Sequence, residues 1–296
     1  MKAIINKIKN ILNSRINYQL YKNRDVIYFF NKEKLAYVYR KKYGLIKHKD
    51  EIETIAIGSS YADNAFFPNY IDKSYNLGLT STDMYLSYQL LLKCKEMLPN
   101  LKNIVYFSAV FAPGMSLIKT KEKYRAIFYK YFFGIPYQEE GIIDKNVEKI
   151  VFKKCKNIKE NIPNDYSGYE TMKTYMIETT AEVRSNTILR ENRREPDQMM
   201  WIKKTIDQVI EDKKNIFIVI PPYSTELKNI LPPKEELYKK AYDQLNDYEG
   251  ITNVQLIDMY DSDLFDDSDM GDNDHLNEKG AKKCTMRIKE YIDKIQ

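Results

Sequence analysis

Four short apolar runs constrain this chain more than any other feature: Thr54–Ile57, Asn103–Phe107, Asn215–Ile220 and residues 253–258. Each is rich in Ile, Val, Phe or Leu, is bounded by turn or polar residues, and is nearly continuous in apolar character. Strands that alternate have one wet face, whereas continuous runs belong to a parallel sheet covered on both faces. Residues 73–76 form a shorter fifth candidate. Between the runs lie segments with helical spacing. Residues 81–98 place Met84, Leu86, Leu90, Leu91 and Cys94 near one side, and residues 199–212 do the same with Met200, Trp201, Ile206 and Ile210. Glu278–Ile295 is amphipathic through Ala281, Cys284, Ile288 and Ile292. Strands alternating with helices predict an α/β fold built on a doubly wound parallel sheet.

The interval from about residue 115 to 200 breaks that rhythm. It is aromatic, basic and mostly helical in pattern, and no Pro/Gly/Ser linker flanks it, so it reads as an insertion on the sheet. The expected organisation is a helical or extended segment over residues 1–50, then an α/β domain over 51–296 that contains the insertion. With 296 residues the chain can bury a sizeable core, and 30% charged residues suit a soluble domain. The net charge of +5 is interleaved with acids along the chain, so nucleic acid is not an expected partner. Cys94, Cys155 and Cys284 are too widely spaced for a zinc site and read as core residues of a reducing compartment. The amino terminus has no uninterrupted apolar core, so neither a secretory leader nor a transmembrane segment is expected. Its Lys7, Lys9 and Arg15 among Ile and Leu would suit peripheral membrane contact. A helix packed on its own domain is the plainer alternative. The expected location is cytoplasmic, with membrane association as the variant.

Gly58-Ser59-Ser60 follows the first strand directly. A serine there sits at the sheet edge where open α/β folds hold ligands, and glycine permits the sharp turn. On position alone, a serine there more often caps the next helix. Histidine narrows the choice, because the chain has two. His48, in Lys47-His48-Lys49-Asp50, reads as a solvated residue. His275 follows the last strand, with Asp272 three positions ahead. At that offset a carboxylate can fold back onto one ring nitrogen and leave the other to take a proton from a serine. Asp274, adjacent to His275, is expected to diverge toward the start of the terminal helix. Ser59 is expected to turn away into the sheet–helix junction. The acids Asp258, Asp261, Asp263, Asp266, Asp267 and Asp269 lack calcium-loop spacing and read as solvated, so no metal is expected. No Walker or G-x-G-x-x-G motif is present, and no cofactor is expected.

Taken in order, these pieces resemble the SGNH/GDSL hydrolase superfamily. Gly58-Ser59-Ser60 resembles its first block, whose third residue is the nucleophile. Asn76-Leu77-Gly78 resembles the second, Pro221-Pro222 fits after the fourth strand, and Asp272-x-x-His275 with Leu276, Asn277 and Gly280 resembles the last. The third block normally brings an asparagine after strand three. Here Phe107-Ser108-Ala109 offers Ser108 instead. The resemblance implies a flavodoxin-like three-layer sandwich, a Ser60–His275–Asp272 triad, and an oxyanion hole from Ser60, Gly78 and Ser108. It implies acyl transfer at an ester, by an esterase or O-acyltransferase of a bacterial surface glycan, with an acyl-CoA as a possible donor class. Tyr124, Tyr129, Tyr131, Phe132, Phe133 and Tyr137 would then be stacking surfaces for sugars, or else ordinary core. The competing reading is a non-catalytic glycan-binding or scaffold protein that keeps the fold.

Overall fold

The computed structural model describes residues 32–170, 179–192 and 198–295. Five strands form one all-parallel sheet: β1 (Thr54–Ile57), β2 (Ser74–Asn76), β3 (Asn103–Phe107), β4 (Asn215–Ile220) and β5 (Val254–Asp258). Their order across the sheet is β2-β1-β3-β4-β5. Ile55 lies opposite Tyr75 and Ile104, and Val105 opposite Phe217. Around the sheet, the described residues form α1 (Lys32–His48), α2 (Ser60–Ala65), α3 (Met84–Met97), α4 (Arg125–Phe133), α5 (Lys145–Asn157) and α6 (Ala181–Asn192). They continue with α7 (Met199–Glu211), α8 (Thr225–Ile230), α9 (Lys234–Leu237), α10 (Lys239–Leu245) and α11 (Glu278–Ile295). The fold is α/β, compatible with a doubly wound sheet.

The strand runs emerge where the apolar pattern places them, with one qualification. β1, β3 and almost all of β4 are buried, whereas in β5 only Ile257 is, and Leu256 is 38% exposed. β5 is an edge strand with one neighbour, and unlike β2 at the other edge it is incompletely covered. A continuous apolar run reported burial correctly in the centre and overstated it at the edge.

The described residues divide into two compact units, one of 32–39 with 118–161 and one of 40–117 with 162–295. In the first, α4 and α5 pack through buried Ile127, Phe128, Tyr129, Phe132, Phe133, Val147 and Val151. The aromatic cluster offered as a sugar platform is largely this core: Tyr124, Tyr129, Phe132 and Phe133 are buried, and Tyr131 packs edge-on against Phe132 and Phe152. Apolar side chains three and four apart on α4 share its inward face, which leaves these rings unavailable for stacking. Tyr137 remains half-buried, its hydroxyl donating to Glu148.

The second unit holds the sheet. In it α3 packs beside α7, and α2 beside α11. Its least expected feature is a fully buried lysine. The Lys41 Nζ donates to Asp63 Oδ1 at 2.5 Å and to the Asn76 carbonyl at 3.2 Å. Asn76, also fully buried, donates from Nδ2 to the Ala62, Asp63 and Phe66 carbonyls and accepts the Gly78 amide on Oδ1 at 2.9 Å. This cluster ties α1 and the end of β2 to the carbonyl end of α2, the helix that begins at Ser60. Gly78 completes the fit, because a Cβ there would stand 2.3 Å from the Asp63 amide nitrogen.

No helix among the described residues is long and apolar enough to cross a membrane. The basic segment containing Lys7, Lys9 and Arg15 lies outside the described residues, as do parts of the interval read as an insertion.

Removing one partner of a buried ion pair strands the other charge, at a cost of about 3–5 kcal/mol. Lys41→Met is therefore expected to lose stability on that scale in urea unfolding, and adding Asp63→Asn should recover part of the loss. A surface-like cost below about 1 kcal/mol for the single variant would contradict this account.

Candidate active site

Ser60 is the first residue of α2, immediately past the carboxyl end of β1. Gly58 makes the turn possible in two ways. Its φ of 131° suits glycine, and a Cβ there would meet the Phe107 carbonyl oxygen at 2.7 Å. Ser59 caps α2, its hydroxyl accepting from the Tyr61 amide at 3.5 Å. The cap role thus falls to Ser59, and the next side chain is left for other chemistry.

The Ser60 Oγ lies 2.8 Å from His275 Nε2. His275 is buried, and Ser60 is half-buried. The loop that carries the histidine closes on itself through a bridge between Met270 and Leu276 and a Gly271 amide that donates to the His275 carbonyl at 2.8 Å. Inside that closure Asp272 folds back. Both its carboxylate oxygens stand 3.0 Å from His275 Nδ1, and its Oδ1 also accepts the Asp274 and His275 amides at 2.9 and 2.8 Å. Burial opposes the Asp272 charge, but the His275 hydrogen bond and charge and these two amides outweigh it, holding the carboxyl at about 2. For His275 burial works against the imidazolium, yet the charge of Asp274 and the bond and charge of Asp272 raise its pKa above the free value, with Arg184 acting in the opposite direction.

Asp274 departs from its expected place. Rather than diverging toward the terminal helix, it is 2% exposed, with Oδ1 3.5 Å from His275 Nδ1. Its Oδ2 accepts from the Tyr61 hydroxyl and from Arg184 through Nη2 and, at 2.8 Å, Nε. Asn277 takes the cap position instead, its Oδ1 accepting the Gly280 amide and its carbonyl the Ala281 amide. The dense cluster of donors explains the difference, since a carboxylate buries readily where three hydrogen bonds converge on it.

Sequence reasoning missed three further members of the site. Tyr61 lies nearly parallel to the imidazole, centroids 4.9 Å apart. Tyr223, just after Pro221-Pro222, stacks on Tyr61 and donates to its hydroxyl at 3.2 Å. Arg184 arrives on α6, 90 residues from Asp274, and lies over the Phe111 ring. Tyr61 was legible as the neighbour of Ser60. Arg184 sits among other basic residues and carries no local signal.

The three residues named for the oxyanion are not equivalent. Among the described residues nothing accepts the Ser60 amide. The Gly78 amide is engaged by Asn76 Oδ1. Ser108 is buried, with its amide on the Val219 carbonyl and its hydroxyl bonded to Tyr238.

Asp272, Asp274 and His275 offer ligand atoms within 4.8 Å of one another. Each is already committed, and a guanidinium stands against Asp274 where a cation would bind. His48 is not simply solvated. Its Nε2 is buried without a hydrogen-bond partner among the described residues, and its ring borders a cavity of about 250 Å³ with Ile52, Asp72, Ser74 and Tyr166. That cavity opens at the amino ends of β1 and β2, the edge opposite Ser60. Of the acidic loop, Asp269 is also buried, paired with Lys283 at 2.7 Å.

No family model matches the chain, and no curated protein matches it. A solved structure from Streptococcus pneumonia, provisionally named a platelet activating factor, is 14% identical over 94% of this chain and 99% of that one, with a TM-score of 0.44. Overlap of that degree carries no weight for the site.

A hydroxyl bonded to an imidazole whose far nitrogen faces a carboxylate can pass its proton to Nε2. The charge arrangement has a measurable sign. By NMR titration the His275 midpoint should lie above 6.5, and Asp272→Asn should lower it by removing an adjacent negative charge. The stability that this raised pKa contributes is complete below 6.5 and fades as pH rises through the folded midpoint. A midpoint at or below the free value would contradict the assignment of charges.

Proposed function

We infer that the protein carries out serine-dependent acyl transfer at an ester, through Ser60 as nucleophile, His275 as base and Asp272 as the orienting acid. The observation that carries this reading is the unbroken contact from Asp272 to His275 Nδ1 and from Nε2 to Ser60 Oγ, at 3.0 and 2.8 Å. In the reaction His275 removes the Ser60 proton, Oγ attacks the ester carbonyl, and the leaving alcohol takes the proton from Nε2. A second hydroxyl, from water or from a sugar, then enters by the reverse sequence and releases the acyl group. Water makes the protein an esterase, and a glycan hydroxyl makes it an O-acyltransferase. The five-stranded order supports the flavodoxin-like sandwich that the SGNH resemblance implies. The glycan acceptor and an acyl-CoA donor rest on that resemblance alone.

Oxyanion stabilisation is the weak part of the constellation. The free Ser60 amide is one donor. Gly78 would have to exchange Asn76 for the substrate, and Ser108 would have to exchange Tyr238. Loss of one such donor costs on the order of 3 kcal/mol of transition-state stabilisation, roughly a hundredfold in rate. Those engaged donors are the specific observation that favours the second reading, a non-catalytic protein that keeps the fold.

A fluorophosphonate separates the two, since it needs an activated serine and no particular ester. Covalent labelling of the full chain, abolished in Ser60→Ala and retained in Ser59→Ala, is the expected result. Asp272→Asn should slow labelling by about tenfold or more, through loss of tautomer control. Labelling that survives Ser60→Ala would move the nucleophile elsewhere. Its absence throughout, with ordinary esters also untouched, would favour the non-catalytic reading.

A further inference from the structure

The reactive pair faces two carboxylates rather than one, and only one of them does the orienting. Asp272 faces His275 Nδ1 with both oxygens. Asp274 stands 3.5 Å from the same nitrogen and is nearly inaccessible to water. Two anions beside one imidazole would bind a proton there and hold it, which would remove the base that Ser60 needs. The charged and titratable groups around this ring and its two carboxylates come from four places: Asp272 and Asp274 from its own loop, Arg184 from α6, Tyr61 from α2 and Tyr223 from the segment after β4. Arg184 is the one permanent cation among them. Its Nε and Nη2 both point at Asp274 Oδ2, and Nη2 also donates to the Tyr61 hydroxyl at 3.2 Å.

We propose that Arg184 is a positioning residue that acts through Asp274: by compensating the buried carboxylate, it keeps a proton from being trapped on His275 and leaves the imidazole free to accept one from Ser60. The proposal rests on the acyl-transfer reading for its consequence in catalysis, and on geometry alone for its consequence in charge. Arg184 touches neither Ser60 nor the imidazole, so its effect passes through the carboxylate and through Tyr61, which is stacked on the ring. Removing the guanidinium leaves the Asp272 and Asp274 carboxylates facing His275 Nδ1 with no compensating cation. The lowest-energy response is uptake of one proton, which settles on the imidazole whose Nδ1 both carboxylates face. Tyr61 and Tyr223 cannot replace the lost cation, since a phenol is at most neutral, and burial and the Asp274 charge hold both hydroxyls in that neutral form.

Only two histidines are present, so His48→Gln yields a full-length chain with a single imidazole signal. On that background the His275 midpoint is read by NMR titration, with circular dichroism to verify folding and fluorophosphonate labelling rate followed against pH. Arg184→Gln is expected to raise the midpoint by about one unit or more, which is about a tenfold loss of unprotonated imidazole at pH values below both midpoints. The pH at which labelling switches on should rise with it. Arg184→Lys, which retains the charge, should stay near the parent, and Arg184→Gln with Asp274→Asn should return to the parent midpoint or below. A structural role alone would lower labelling without moving either midpoint. An unchanged or lowered midpoint in Arg184→Gln, or a double variant as high as the single one, overturns the proposal. Should Arg184→Gln fail to fold, Asp274→Asn carries the test, with a midpoint below the parent expected and an unchanged one fatal. If no variant labels at any pH while the midpoints move as stated, the acyl-transfer reading fails and the charge assignment stands.

Discussion

An ammonium group with no exposure to water holds the site-bearing half of this molecule in register. Burying a charge is costly, and the Lys41–Asp63 pair persists because each remaining polar atom nearby also has a partner, chiefly from Asn76. A buried pair of this kind contributes little net stability, but it leaves little freedom. Sliding α2 by one turn would strand Lys41, leave Asn76 with unpaired amide hydrogens, and drive the Gly78 backbone into the helix. The position of Ser60 at the start of α2 follows from where the far end of that helix is anchored.

The opposite side of the site is held by a different device. The loop 270–276 is short, closed by its own bridge, and filled with Asp272, whose carboxylate serves the backbone and the imidazole together. Every pairing in the sheet is parallel, so the carboxyl ends of all five strands lie at one edge. Residues 215 positions apart can therefore meet at hydrogen-bond distance. α11 then packs against α2, and Thr285 donates to the Ala65 carbonyl, so the helices that flank the two loops are themselves in contact.

Charge balance at the site is more elaborate than a triad requires. Asp274, Arg184, Tyr61 and Tyr223 form a buried polar cluster behind the imidazole, and each member satisfies another. Such a cluster is costly when broken and rigid when whole. It also brings α6 into the site, so the interval that interrupts the strand–helix rhythm contributes to the geometry of the histidine. The engaged amide of Gly78 and hydroxyl of Ser108 belong to the same pattern: polar groups near the Ser60 edge of the sheet are largely satisfied from within the protein.

Local rules determined a good deal by themselves. Continuous apolar runs marked the strands, in three cases to the residue, because burial on both faces demands apolar side chains at every position. Helical spacing marked α11 to its ends. The offset of three between Asp272 and His275, and a glycine before a serine after a strand, were enough to bring the Ser60–His275–Asp272 contacts into view, since those relations are carried by a few neighbouring residues and a parallel topology. Tertiary structure decided what no spacing encodes. The offset of three singled out Asp272 but misplaced Asp274, because a guanidinium from α6, 90 residues away, draws that carboxylate into the interior instead of leaving it at the terminal helix. Lys41 reads as one surface lysine among many until Asp63 and Asn76 enclose it. The aromatic residues of α4 read as platform or as ordinary core until packing turns them inward. In each case the deciding term is the environment of a charge or a ring, and that environment is assembled from segments the chain brings together only on folding.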